Sequence, residues 1–369
     1  MAGLYVHIPF CKSKCSYCDF ASFPSKEYKM GEYFESLYKE IDLREKELKG
    51  KKFDTVYFGG GTPSYVDCKY IVKTLEKLRS AFIIDKDSEI TIEINPATLD
   101  KEKFISYEKV GFNRFSVGLQ SGNDEELIDL RRCHNVQDFI DTANLLKGKN
   151  FSVDLLIGLK NQNKEKLKKS LDVAIGSGCS HISVYALTAE VGTPIYTDYL
   201  NGELLDEDET AEMYDYVVNY LKEREFFRYE VSNFCKKGFH SRHNINYWKR
   251  GEYLGLGLSA HSFIGDTRIA NTKDFEEYVD IVNKGYLPVI YSEKIDEKDS
   301  EEEYIMLAFR TAVGVLLQDY KERYKKDFIK EYAKVIAKNF AYLDVSTIGV
   351  KIKDEYFFVQ NNIIVDFFK

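Results

Sequence analysis

Residues 4–20 read LYVHIPFCKSKCSYCDF. The alternation of side chains over Leu4–Ile8 predicts a β-strand that ends before Pro9. Three cysteines then follow in one short loop, with the spacing C-x3-C-x2-C: Cys11, Cys15 and Cys18. Three thiols so close together cannot all be paired as disulfides, but their thiolates can converge on a metal centre.

The kind of metal centre follows from the number of ligands. An iron–sulfur cube usually binds four thiolates, so three cysteines on a four-iron cube leave one iron open for a small molecule. The alternative is a structural zinc site, which needs a fourth ligand, and His7 is the nearest candidate.

The cysteine loop resembles that of the radical S-adenosylmethionine (SAM) superfamily. Within it, YVHIPFC, YCDF and the later GGGTPS are similar to the group that contains oxygen-independent coproporphyrinogen III oxidases and the HemW haem chaperones. The resemblance implies a [4Fe-4S] cluster whose open iron binds SAM, and reductive cleavage of SAM to a deoxyadenosyl radical.

Strand-like and helix-like patterns alternate over residues 4–224. Six apolar runs, each followed by a helical pattern, are predicted as strands: 4–8, 54–58, 89–94, 114–119, 151–157 and 181–187. Repeated βα units predict an α/β fold with a parallel sheet. The resemblance implies a partial (β/α)6 TIM-like radical SAM barrel, with its chemistry at the carboxyl ends of the strands.

The pattern changes twice along the chain. We assign residues 1–225 to the barrel, 226–295 to a linking region rich in Gly, His and aromatic residues, and 296–369 to a small C-terminal domain. In this last part we predict helices over 304–317 and 320–341 and a hairpin of Val350–Ile352 with Tyr356–Val359. Residues 294–303 are expected to be a solvated linker that runs into the start of a helix. The resemblance implies that this α+β domain is winged-helix-like.

Composition excludes some classes of function. The formal net charge of −8 argues against a nucleic-acid binder, which would carry a basic surface. Seven cysteines, an odd number, and no secretory signal indicate a reducing cytoplasm rather than a disulfide framework. No apolar run approaches the roughly 20 residues of a transmembrane helix. Peripheral contact with a membrane and the oligomeric state stay open.

The glycine run at 59–62 follows the second predicted strand. Glycines let a backbone approach a ligand closely, and free N–H groups there could meet a carboxylate. At this place the run matches the family's methionine-binding motif, so the resemblance assigns Gly60, Gly61 and Thr62 to SAM.

Further positions match SAM-binding residues of the family by motif: Tyr5, Tyr17, Glu93, Gln120, Arg132 and Asp154. The alternative for Glu93 and Asp154 is a buried carboxylate paired with a structural arginine. The family commonly reads L-G-R-x-H where this chain has two adjacent arginines, so whether Arg131 or Arg132 faces SAM is left open. We interpret the other cysteines outside the loop, Cys68, Cys133 and Cys179, as small core residues.

The stretch HNINYW at 243–248 matches an H-N-x-x-Y-W motif associated with haem binding in HemW proteins. The resemblance therefore assigns His243, Tyr247 and Trp248 to haem. Imidazole binds haem iron well, and aromatic rings offer a flat apolar surface. The alternatives are a core histidine, or a second metal site with Cys235 and His240.

Two features separate the branches of the family. The oxidases have a further cysteine two residues after the third cluster ligand, where this chain has Phe20, and an N-terminal arm, whereas almost nothing precedes Leu4 here. Both features favour a HemW-type chaperone that binds a [4Fe-4S] cluster, SAM and haem and passes haem to client haemoproteins. The alternatives are coproporphyrinogen III oxidation and another radical SAM reaction on porphyrins. Oxidase activity is not expected, and other enzyme activity is left open.

Overall fold

The computed structural model describes residues 1–368, and its centre is a row of six parallel strands joined by helices. The strands are β1 (Ala2–Ile8), β2 (Lys52–Gly60), β3 (Ile83–Ile94), β4 (Arg114–Gln120), β5 (Phe151–Ile157) and β6 (His181–Ala186). They lie side by side in chain order, each parallel to the next. The predicted α/β fold with six βα units is confirmed.

Helices follow each of these strands, close to where the sequence predicted them. They are α1 (Met30–Glu47), α2 (Cys68–Ala81), α3 (Lys101–Val110), α4 (Asp124–Asp129), α5 (Val136–Leu145), α6 (Lys164–Gly176), α7 (Ile195–Leu200) and α8 (Glu207–Lys222). Several begin at a side chain that accepts a hydrogen bond from the first turn; the Asp67 carboxylate, for example, caps α2 by accepting from Lys69 N. Short polar caps of this kind explain why the helix starts were predictable.

The sheet extends beyond the six predicted strands at both edges. The added strands are β7 (Phe227–Arg228), β8 (Asn233–Cys235), β9 (Glu252–Leu256), β10 (His261–Ile264), β11 (Thr267–Asn271) and β12 (Val289–Lys294). The sheet order is β12-β11-β10-β9-β1-β2-β3-β4-β5-β6-β8-β7, and β9 is parallel to β1. Residues 226–295 thus pair with the barrel sheet on both sides, and α9 (Arg242–Trp248) and α10 (Phe275–Asn283) lie within the same segment.

The outer face of β1 shows how the barrel packs. Leu4, Val6 and Ile8 are fully buried in the main hydrophobic cluster, which α1 also joins. On α1, the buried Glu40 carboxylate accepts hydrogen bonds from Gly257 N at 2.8 Å, Asn271 Nδ2 at 2.7 Å and Tyr278 Oη at 2.7 Å. Because these donors lie on or beside β9, β11 and α10, one carboxylate ties the added edge strands to the barrel.

The C-terminal part has its own hydrophobic cluster. Its helices are α11 (Glu297–Phe309), α12 (Leu317–Tyr324), α13 (Phe328–Glu331), α14 (Ala333–Lys338) and α15 (Asn361–Ile364), around a small sheet of β13 (Val315–Leu316), β14 (Leu343–Val345) and β15 (Gly349–Ile352). The division at residues 225 and 295 stays a prediction.

Three local predictions in this part were wrong. The hairpin partner of β15 is β14 and not residues 356–359, which form no strand. The helix expected to follow the charge-rich stretch at 294–303 begins within it, at Glu297 and not at Tyr304, since Asp296 caps α11 by accepting from Asp299 N at 2.9 Å. The helix predicted over 320–341 is broken into three short helices, α12, α13 and α14. No helix within residues 1–368 is long and apolar enough to cross a membrane.

Candidate functional site

A cavity of about 340 Å³ lies at the carboxyl ends of β2 to β6, under the cysteine loop. It brings together most of the site residues predicted from sequence: Cys11, Cys15, Tyr17, Cys18, Gly60, Gly61, Thr62, Glu93, Gln120, Arg132 and Asp154. The predicted residues Tyr5, His243, Tyr247 and Trp248 are not part of its lining. Parallel strands place their carboxyl ends at one edge, which is why residues distant in sequence meet here.

The cysteine loop is held over the cavity by backbone hydrogen bonds. Ser16 N donates to Leu130 O at 3.0 Å, and Ile195 N donates to Ser16 O at 3.0 Å. The sulfurs are also contacted: Thr62 Oγ1 donates to Cys11 Sγ at 3.6 Å. The loop is therefore fixed to β2, to the end of α4 and to the start of α7.

The three loop cysteines are free thiols that face one cavity. Burial raises the pKa of Cys11 and of Cys18, so their thiolates need a positive partner in this place. Within residues 1–368, no three His, Cys, Asp or Glu side chains converge on a single metal ion. Three thiols on one cavity without a single-ion site suit a cluster, because the cysteines of a cube each bind a different iron.

The zinc alternative and the second metal site find no support in the described residues. The His7 ring is engaged on both sides: Nε2 lies 2.8 Å from Ala21 O, and Nδ1 lies 3.0 Å from Tyr5 Oη. Likewise, Cys235 is buried, His240 is exposed and both His243 nitrogens have other partners.

The glycine run forms a tight floor beside β1. Gly60 has φ +107°, and a Cβ there would lie 2.4 Å from the His7 ring. A Cβ at Gly61 would lie 2.8 Å from Ile8 O. The expectation of free N–H donors was wrong. Gly60 N donates to Glu93 Oε2, Gly61 N donates to Ile8 O and Thr62 N donates to Phe10 O. The run offers close approach, not free donors.

Two carboxylates, those of Glu93 and Asp154, face the cavity. Neither forms an ion pair with an arginine of residues 1–368. Glu93 accepts from Tyr57 Oη at 2.8 Å and from Gly60 N at 3.2 Å, and burial, aided by the charge of Asp154, raises its pKa to about 7. Asp154 Oδ2 accepts from Ser116 Oγ at 3.0 Å, while its buried Oδ1 has no partner. The alternative of a structural Arg–carboxylate pair is not what the structure shows.

Arg132, not Arg131, lines the cavity. Its Nη2 donates to Gly118 O at 2.8 Å, Nη1 lies 3.4 Å from both Cys15 Sγ and Tyr17 Oη, and the buried Nε has no partner. Arg131 is exposed with φ +54°. This left-handed position explains why glycine suits the family's L-G-R-x-H pattern there.

A stack of aromatic rings runs from the cavity wall towards α9. Tyr5 lies 6.3 Å from Tyr57, and Tyr57 stacks on His243 with 5.1 Å between ring centroids. His243 is only 2% exposed; its Nδ1 lies 2.8 Å from Thr55 Oγ1 and its Nε2 lies 2.9 Å from Tyr247 Oη. Burial lowers the pKa of His243 to about 3. Neither ring nitrogen is free for iron in this conformation, so the assignment of His243, Tyr247 and Trp248 to haem stays a prediction.

Several cavity residues were missed from sequence. Tyr57, Ser116, Tyr185 and Cys133 all line the cavity. The alternation on β2 could have identified Tyr57, since Val56 and Phe58 on either side of it are fully buried in the hydrophobic cluster. The interpretation of Cys133 as a core residue was wrong, because it follows Arg132 in a loop and not a packed helix face.

The chain is similar to known proteins over most of its length. The family model described as Radical SAM superfamily matches residues 5–174. The chain is 35% identical to "Heme chaperone HemW" of Buchnera aphidicola subsp. Schizaphis graminum, over 90% of this chain and 89% of that protein. It is 31% identical to the protein of the same name from Bacillus subtilis, over 88% and 87% of the two chains.

The chain belongs to the HemW family of radical SAM proteins.

One solved structure has the same fold as the HemW-type chain. The structure titled "Coproporphyrinogen III oxidase (HemN) from Escherichia coli is a Radical SAM enzyme" superposes with a TM-score of 0.88 at 21% identity, covering 100% of this chain and 90% of that one. This similarity establishes the shared radical SAM fold. In the HemW-type chain, Phe20 lies at the cavity wall and is 68% exposed.

Proposed function

We propose that this protein is a haem chaperone that binds haem and transfers it to client haemoproteins. The observation that carries the proposal is the match to heme chaperones named HemW over nearly the full lengths of both chains. The cavity lined by the three loop cysteines supports a [4Fe-4S] cluster and SAM as its other ligands.

The cavity residues suit these two cofactors. Cys11, Cys15 and Cys18 would hold the cluster, which supplies the electron that cleaves the sulfonium of SAM. The unpartnered Asp154 Oδ1 can accept from an ammonium or hydroxyl group, and the unpartnered Arg132 Nε can donate to a carboxylate. SAM carries all three groups, so both orphaned atoms have a complement in the ligand.

The haem assignment rests on the HNINYW motif at 243–248, in which His243 is the candidate iron ligand. Iron ligation by His243 would break its contacts with Thr55 and Tyr247 and require α9 to move. A haem titration of wild type, His243→Ala and the exposed control His240→Ala tests this assignment. Loss of the Soret band in His243→Ala alone, with an unchanged unfolding midpoint, supports haem contact. Unchanged haem affinity with lowered stability assigns His243 to packing.

The proposal is tested on one anaerobically reconstituted sample. About four irons per chain and a haem absorption band of defined stoichiometry are expected. Absence of haem uptake by the wild-type protein would remove the chaperone function. The seven free cysteines support a reducing compartment, the cytoplasm, as the place where the protein works.

Coproporphyrinogen III oxidation is the second candidate, favoured by the close fold similarity to the HemN structure. Anaerobic incubation with coproporphyrinogen, SAM and a reductant separates the two functions, because an oxidase releases protoporphyrinogen and carbon dioxide. A third candidate, a radical SAM reaction on haem itself, predicts SAM turnover that depends on added haem.

A further inference from the structure

Cys133 is a fourth thiol in the cavity of the cluster cysteines. It lies in the loop after α4, directly beside Arg132, and is half-buried. Its Sγ has one contact, as a donor to Asn95 Oδ1 at 3.5 Å. The other cysteines outside the loop, Cys68, Cys179 and Cys235, do not line this cavity. Cys133 therefore has a position that packing does not explain.

The surroundings of Cys133 overlap with those of the loop cysteines. Arg132, the residue before Cys133, places its Nη1 3.4 Å from Cys15 Sγ. Cys133 and the three loop cysteines line the same cavity. Cys133 is thus the chain neighbour of a side chain that contacts a loop cysteine.

The same cavity holds polar atoms that wait for a ligand. Arg132 Nε and Asp154 Oδ1 are buried and have no hydrogen-bond partner among residues 1–368. Buried polar groups are normally satisfied, so these atoms indicate that the cavity is built around a bound group. Cys133 faces this space, where three thiolates would leave the fourth iron of a cube open.

We infer that Cys133 is a displaceable fourth ligand of the iron–sulfur cluster, bound to the open iron when SAM is absent. The inference rests on the cluster assignment of the proposed function. Thiolate is the usual ligand of cluster iron. On binding, the Cys133 thiol releases its proton to solvent and the Fe–S bond forms. When SAM binds, its ammonium group loses a proton so that the amine and the carboxylate can take the iron; the bond to Cys133 breaks, and the released thiolate takes up that proton.

Such a ligand would shield the open iron from water and oxygen and would compete with SAM. The apparent affinity for SAM is the intrinsic affinity multiplied by the fraction of protein in which the iron is free. If Cys133 occupies the iron for about nine-tenths of the time, its removal tightens SAM binding by about tenfold.

The test uses the full chain reconstituted anaerobically with iron-57, as wild type, Cys133→Ala and the control Cys68→Ala. Cys68 is also half-buried but lies outside the cavity lining. Without SAM, Mössbauer spectra of wild type and control are expected to show four sulfur-ligated irons, and Cys133→Ala one distinct iron in four. Calorimetric titration is expected to give about tenfold tighter SAM binding to Cys133→Ala only.

A second variant, Cys133→Ser, keeps a donor to Asn95 while removing the soft sulfur, and should behave like Cys133→Ala. A distinct iron already present in wild type, with equal SAM affinities in all proteins, would overturn the role of Cys133 and leave the cluster assignment intact. Failure of wild type and variants alike to take up four irons would overturn both.

Discussion

The Glu93→Gln substitution tests the electrostatics of the cavity wall in the cluster-free chain. Burial raises the pKa of Glu93 from its ordinary 4.5 to about 7. Between these values the folded state binds a proton that the unfolded state releases, so stability falls as pH rises from about 4.5 to 7. At about 1.4 kcal/mol per pKa unit, about 2.5 kcal/mol of this loss develops between pH 5 and pH 8. The figure is an upper limit because Glu93 lines a cavity that admits water.

Glutamine keeps an acceptor for Tyr57 Oη and does not titrate. Urea unfolding at pH 5 and pH 8 should therefore show that Glu93→Gln gains up to about 2.5 kcal/mol relative to wild type on going to the higher pH. Glu76→Gln removes a carboxylate from the exposed face of α2 and serves as the control, with wild-type pH dependence expected. The same pH slope for wild type and Glu93→Gln would refute the reasoning.

Three further changes follow from contacts in the structure. Gly60→Ala should cost about 3 kcal/mol or more, since a Cβ would clash and φ is positive, while Gly192→Ala, which has φ +93° and open space, should cost only about 1 kcal/mol by chemical denaturation. Arg132→Lys loses a guanidinium that bridges Gly118 O and Cys15 Sγ and should weaken SAM binding to the reconstituted protein at least tenfold by calorimetry, while the exposed Arg131→Lys should not. Glu40→Ala removes the acceptor of Gly257 N and of Tyr278 Oη, while Asn271 Nδ2 keeps its bond to Gly257 O, and should cost about 3–5 kcal/mol, seen as a lower urea midpoint.

The barrel was predictable because its signals are local. Period-two strands and polar caps such as Asp67 are visible within a few residues of each helix or strand. The strand β9, parallel to β1, was missed because residues 252–256 have weak alternation and are stabilised by a neighbour some 250 residues away in sequence. Short strands that extend the sheet beyond the barrel depend on such pairing, which sequence patterns do not encode.

The cavity residues also fall into those that the sequence identifies and those that only the structure identifies. The cysteine loop is one continuous motif, so Cys11, Cys15 and Cys18 could be identified without a structure. Choosing Arg132 over Arg131 required the backbone angle of residue 131, and placing Cys133 in the cavity required the loop after α4. The burial of His243 under Tyr57 also depends on how α9 packs against the barrel, which the motif does not reveal.

Haem transfer is the most direct test of the central claim. The reconstituted, haem-loaded protein is mixed anaerobically with an apo-haemoprotein, and the two are then separated. We expect the Soret absorbance to move to the acceptor faster than free haem is lost into buffer. Retention of all haem by this protein, or the conversion of added coproporphyrinogen to protoporphyrinogen in a parallel sample, would contradict it.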